Sequence, residues 1–476
     1  MTEYPLNRAL PADFNRPAFL LYIFMTLSLL VLGLGYMLYK GKYLYLGLIL
    51  ASPILIMILT QPKLAVGQFI FALFISRSIF EGQPWLYADL NGLILIAAAV
   101  LDLVSESKLP NKLPRLSFNF LFLLLVVFTA GVFSYQPEVA IRPFGRITLQ
   151  FLYFLAMYRL SGKVSVAWSL NLFFWLSIVH SILVFIPFLA SGGTLRSYGL
   201  APVQLAMLAL VVATAKFLWA KKGTAWIHLI GMVVIFFALL SAQYRSLIIM
   251  GAAMSTLVIF FSRRRARLEL GKNSRETDST GIGELIRVRK RPLYLLAGLL
   301  FSVLLALVIY PQLLAPLLER FEGLLSARPS GTFLLRTVLW KMAWSQFIDN
   351  PLVGIGPGLF NQIQNVEPTI RLNIFHWYVR GLSAHNLLLH YLAEAGILGG
   401  IAVLAMMINQ MRLSYKAWLE SVGRPNFEVS AILLGIAATI LITTLTESSW
   451  LWGQSGFIFA FFISLIARNH NNLVLT

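Results

Sequence analysis

Residues 385–411 read HNLLLHYLAEAGILGGIAVLAMMINQM, and this stretch decides the fold. It has no Lys, Arg or Asp and one Glu. An apolar run of about 20 residues spans the hydrocarbon core of a bilayer as an α-helix. Further runs of this kind lie at about 18–38, 43–60, 65–80, 86–104, 118–135, 147–160, 167–190, 202–220, 225–242, 246–262, 293–314, 427–445 and 449–467. The 476 residues are 58% hydrophobic and 12% charged, and the mean hydropathy is +0.78. Soluble domains carry about twice that share of charge. A transmembrane β-barrel would show weak ten-residue alternation instead of near-continuous runs. The fold class is therefore all-α, a polytopic membrane bundle of about 12–14 transmembrane helices. The count is open because the runs at 43–60, 65–80 and 147–160 are short.

The net charge of +19 would suit nucleic acid in a soluble protein. In a membrane chain it reads as topology, because Lys and Arg collect in cytoplasmic loops; no nucleic-acid partner is expected. Residues 263–292 hold ten basic residues against Glu269, Glu276, Asp278 and Glu284, which makes this loop cytoplasmic. Alternation then puts 105–117, 159–166, 221–224, 412–426 and both termini on the same side. Residues 1–17 lead into a full-length apolar run without a small-residue cleavage site, so the first helix is expected to be uncleaved. The chain divides into N-terminal transmembrane helices (1–135), central helices (136–314) and a large external loop carrying amphipathic helices (315–384). C-terminal transmembrane helices (385–476) follow. There is no cysteine, which excludes disulfides and thiolate metal sites.

Arginine is out of place on the external side. Short loops near 136–146, 191–201 and 243–245 carry Arg142, Arg146, Arg196 and Arg245. The long segment adds Arg320, Arg328, Arg336, Arg371 and Arg380. Any one of these can snorkel to lipid phosphates. Several guanidiniums at one face instead suit a phosphate or diphosphate, since Arg offers a two-pronged, permanently charged grip. A diphosphate at that depth means a lipid-linked substrate. The aspartates lack D-x-D spacing, and external Glu81, Glu138, Glu319, Glu322, Glu367 and Glu447 are scattered. No metal and no other cofactor is expected, because Mg²⁺ and Mn²⁺ need convergent oxygens.

Two external stretches invite binding readings. NPLVGIGPGLF (350–360) has a G-x-G-x-G run, but no strand precedes it, so a Gly/Pro turn between surface helices is favoured over a nucleotide site. Before it, Arg336, Trp340, Ala343 and Phe347 follow helical spacing, which suits an amphipathic helix lying on the membrane. FHWYVR (375–380) supplies His376, Trp377 and Arg380, either as an interfacial aromatic belt or as a platform for sugar rings.

The polar residues of the opening stretch remain to be placed. Ser383 suits an N-cap, which would put His385 and Asn386 in the first helical turn. Asn386, His390 and Glu394 then form one polar stripe, with His390 and Glu394 orienting the helix. Gly396 and Gly399 lie on the His385 face and would admit a neighbouring helix. A carboxylate as deep as Glu394 needs a partner or a proton.

His385-Asn386, nine residues, and then Gly396-Ile-Leu-Gly399 resemble the H-[NSQ]-x9-G-x-x-G motif of bacterial O-antigen ligases and polymerases. RTVLWKMAWSQFIDNPLVGIGPGLF is similar to that family's R-x-x-x-W … P-L-x-G-x-G-x-x-x-F segment, and RSYG and QYRS to its two upstream arginine motifs. One departure is Gln204, where relatives often carry Asn. The resemblance covers roughly residues 140–465. It implies a metal-independent, inverting glycosyltransferase of the bacterial inner membrane, working at the periplasmic face on an undecaprenyl-diphosphate-linked glycan. The acceptor would be lipid A–core for a ligase or a lipid-linked repeat for a polymerase. A lipid-linked-oligosaccharide flippase is the rival from another class. Membrane lipids are the remaining partner expected.

His385 is expected to be the general base, kept neutral by the first-turn field and the arginines. Arg196 and Arg245 would grip the diphosphate. Arg142, Arg146, Tyr198, Arg336, Asn386, His376, Trp377 and Arg380 complete the substrate-binding set.

Overall fold

The structure is a computed structural model that describes residues 55–75, 87–106, 113–190, 200–220, 223–241, 251, 253–256, 258, 331–362, 382–421, 424, 427–451 and 453–474. The chain forms two units, Met1–Gln61 and Pro62–Thr476. The first is described only over 55–61, a helical turn in which the Thr60 hydroxyl donates to the Ile56 carbonyl. The basic loop 263–292 and the spans expected at 18–38 and 293–314 lie outside the described residues.

The described residues of the second unit are helical, with no strand among them. The helices are α1 (Pro62–Ala72), α2 (Tyr87–Glu106), α3 (Arg115–Val132), α4 (Pro137–Leu160), α5 (Val166–Ala190), α6 (Leu200–Trp219) and α7 (Ala225–Ser241). After the basic loop come α8 (Gly331–Asp349), α9 (Leu387–Glu420), α10 (Phe427–Thr443) and α11 (Gly453–Val474). Among the described residues four helices are long and apolar enough to cross a membrane: α2, α3, α5 and α9. Shorter apolar helices are formed by Val203–Trp219, α7 and α10. The chain is a multi-pass membrane protein built as an all-α bundle.

The burial pattern is the one a bilayer imposes. In α11 every residue from Phe457 to Ile463 is buried, and α10 and α6 are buried nearly all round. Helices apolar on every side belong in the interior. On the periphery large apolar side chains stand exposed at helical spacing: Phe118, Leu121, Leu125, Phe128 and Val132 on α3, and Ile397, Ile401, Leu404 and Ile408 on α9. Such stripes would be sticky patches in water and are ordinary surface in lipid. α11 packs on α4, α9 and α10, while α9 also packs on α3, α8 and α10.

Two local expectations change. Residues 136–146 are not a loop, because α4 begins at Pro137. Pro137 sets a helical φ where no intrahelical N–H is needed, and Glu138 suits the positive helix N-terminus. The helix then runs through Pro143, so Arg142 and Arg146 are helical residues. The face of α8 chosen from spacing also differs. Ala343 is buried with Leu339, Ile355, Leu359, Phe360, Ala384 and Ala393. The exposed apolar groups are Trp344 and Ile348, with Leu352 just beyond the helix. Packing of α8 on α9 claims the small residue, and the larger ones face outward.

Candidate functional site

The site begins with the cap of α9. Asn386, not Ser383, is the N-cap: its φ of −155° and ψ of 115° are extended, and its side-chain oxygen accepts from the Leu389 N–H at 3.0 Å. The other end of the amide donates to the Leu445 carbonyl at 3.2 Å, and the Leu387 N–H donates to the Thr444 carbonyl at 2.8 Å. Asn can cap the helix and grip a neighbouring carbonyl at once, which a hydroxyl at position 383 could not do for this start. Ser383 instead pairs with Ser448, oxygen to oxygen at 2.6 Å. His385 therefore precedes the helix. Its φ is +48°, the only non-glycine positive φ among the described residues. Left-handed backbone costs a non-glycine residue roughly 1–2 kcal/mol, so the surrounding hydrogen bonds hold this histidine where it is.

Beside it lies Glu447, from the connection between α10 and α11. The residue is 2% exposed. One carboxylate oxygen accepts from the Arg336 guanidinium at 3.2 Å, and the other sits 3.7 Å from His385 Nδ1. Arg336, Glu447 and His385 thus form a row from α8 through the α10–α11 connection to the start of α9. The imidazole and guanidinium are each partly open, while the carboxylate between them is not. This differs from the expected electrostatics: a carboxylate faces His385 Nδ1, and the first-turn argument no longer applies. Sequence reasoning passed over Glu447 as one of several scattered carboxylates. Its only local signal is an acid in TLTESSW, a polar break between two apolar spans.

Below the histidine α9 is broken. Ala395 (φ −131°, ψ 16°) and Gly396 (φ 63°, ψ −159°) leave helical geometry. A break in a buried helix frees backbone groups that must find partners. The glycine turn supplies them: Ile355 N–H donates to the Ala393 carbonyl at 2.9 Å and Gly356 N–H to the Glu394 carbonyl at 3.0 Å. The Ile397 N–H donates to the Pro351 carbonyl at 2.8 Å. The approach is backbone to backbone. A Cβ on Gly354 would lie 2.4 Å from the Glu394 carbonyl carbon, and one on Gly396 would lie 2.3 Å from the Leu352 oxygen. The glycine seam expected to admit a helix thus admits this turn at Gly396. Gly399 accommodates the kink itself, since a Cβ there meets Tyr391 and Ala395 of its own helix.

The side chain of Glu394 completes the lock. It is buried, accepts from the Phe360 N–H at 3.3 Å and lies 3.5 Å from His390 Nε2. The Phe360 ring meets His390 edge-on at 5.5 Å. The turn also contacts the α3–α4 connection, where the Ser134 hydroxyl donates to the Ile355 carbonyl at 3.4 Å.

The remaining candidates are distributed as follows. Arg146 is ion-paired with buried Asp89. Arg142 is exposed on α4. Arg196, Tyr198, Arg245, His376, Trp377 and Arg380 lie outside the described residues. Among the described residues no group of three or more His, Asp or Glu side chains converges as a metal cradle would.

Comparison with characterised proteins finds no match among curated sequences. A family model described as O-antigen ligase matches residues 230–404, a segment that contains α8, the glycine turn, His385 and the break in α9, and ends before Glu447. Over residues 230–404, therefore, the chain is similar to the O-antigen ligase family.

Proposed function

We propose that the protein transfers a glycan from undecaprenyl diphosphate to a hydroxyl of lipid A–core, at the periplasmic face of the bacterial inner membrane. The observation that carries this reading is His385, fixed before α9 in a left-handed backbone and backed by a buried carboxylate. With Nδ1 turned to Glu447, Nε2 is the nitrogen left for substrate. The acceptor O–H gives its proton to Nε2 as the oxygen attacks the anomeric carbon. The C–O bond to the diphosphate breaks, its electron pair leaves with undecaprenyl diphosphate, and the configuration at that carbon inverts. Glu447 offsets the positive charge that grows on the ring, as a carboxylate partner does for catalytic histidines elsewhere. Arg336 holds Glu447 in place. Arg196 and Arg245 take the diphosphate charge, in keeping with the arginine motifs, and no metal is assigned a role.

The second reading is a polymerase, with a lipid-linked repeat as acceptor; it uses the same chemistry. Purified protein given lipid-linked donor with both acceptors in competition tests the assignment. Glycosylated lipid A–core is the expected product. Chain extension of the donor would establish the polymerase instead. Movement of donor across a vesicle membrane without any new glycosidic bond would establish a flippase and end the enzyme reading.

A further inference from the structure

At the far ends of the same helices there is a second site. α4 starts beside the glycine turn, and Arg159 lies 22 residues after Pro137, about 33 Å along the helix axis at 1.5 Å per residue. There α2 and α4 enclose a cleft of about 570 Å³, open to the periphery of the bundle. Its wall is apolar, with Ile96, Val100 and Leu103 from α2 and Leu152 and Leu155 from α4. Its rim is charged. Asp102 and Glu106 are both held by Arg159 and Lys163: Arg159 reaches Asp102 at 2.7 Å and Glu106 at 2.9 Å, and Lys163 pairs with Asp102 and, at 2.7 Å, with Glu106. Two acids and two bases cancel.

A third cation is left over. Arg468 of α11 lines the same cleft. Its guanidinium carbon lies 5.7 Å from the centre of the Tyr158 ring. Its Nε is buried without a hydrogen-bond partner among the described residues, and no carboxylate pairs with it among them. A buried N–H without an acceptor is costly. An apolar groove with a surplus cation at one end fits a molecule with an acyl chain and an anionic head. Basic pockets between transmembrane helices are known to hold anionic lipid headgroups.

We infer that the α2–α4 cleft binds one anionic phospholipid, its phosphate on Arg468 and an acyl chain along Val100, Leu103 and Leu155. The site faces away from His385, so it is independent of the transfer reaction and rests only on the chain lying in a membrane.

Native mass spectrometry of the full-length protein released from detergent tests this. The probes are phosphatidylglycerol and phosphatidylcholine with identical acyl chains, each at the same concentration. Wild type is expected to retain phosphatidylglycerol about tenfold better, and Arg468→Gln to lose that preference. Leu103→Trp keeps the cation and fills the groove, so it too should lose the adduct; it decides the matter if Arg468→Gln does not fold. Equal retention of both lipids by wild type would overturn the inference, as would phosphatidylglycerol retention unchanged in Leu103→Trp. Displacement of the adduct by millimolar inorganic phosphate would mark a free-anion site and also overturn it.

Discussion

Glu447 keeps one carboxylate oxygen 3.7 Å from His385 Nδ1 while the other accepts from Arg336 at 3.2 Å. Glu447 and His385 are 62 positions apart in sequence and meet because the Thr444 and Leu445 carbonyls are bound by the start of α9. If this pair serves catalysis, Glu447→Gln, which preserves shape and removes charge, should lower kcat by about 10²-fold and leave KM for the donor little changed. A rate equal to wild type would reduce Glu447 to a clamp for Arg336.

His385→Asn is a cleaner probe than alanine, because asparagine tolerates left-handed backbone. It removes the base without forcing the chain to refold locally. The expected result is a rate loss of roughly 10²–10⁴-fold, the range of general-base catalysis, with unchanged thermal stability and donor binding. Normal turnover of bound donor by this variant would show that the histidine only binds.

Gly354→Ala and Gly396→Ala should each destabilise the fold by about 2 kcal/mol or more, because each puts a Cβ into facing backbone at a positive φ. The two sites share one contact, so the double variant should lose less than the sum. Thermal unfolding in detergent measures this. Additive losses would mean that the turn and the break are not coupled.

The cap gives a smaller test. Asn386→Ala should cost about 1 kcal/mol, while Asn386→Asp, which keeps the acceptor for Leu389 N–H and loses the donor to Leu445, should cost less. Ser383→Ala should be nearly silent in the helix itself. A larger loss at Ser383 than at Asn386 would restore the earlier helix start.

Sequence alone settled what depends on short-range physics and composition. Apolar runs of membrane length make helices wherever the chain must satisfy its own backbone in lipid, and those at 86–104, 118–135, 167–190 and 427–445 reappear as α2, α3, α5 and α10. The histidine motif, with its following glycines, was legible for the same reason: it is local. The tertiary structure decided the rest. It moved the cap to Asn386, since only the neighbouring Leu445 carbonyl gives that amide its second bond. It broke α9 at Gly396, because the displaced carbonyls found N–H donors on a turn some 40 residues earlier. Glu447 became the neighbour of His385 through the packing of α10 on α9. One sequence carries no sign of a contact between a lone acid and a histidine that distant, because the pairing is held by the Leu387 N–H on the Thr444 carbonyl and the Asn386 amide on the Leu445 carbonyl, bonds in which neither the acid nor the histidine takes part.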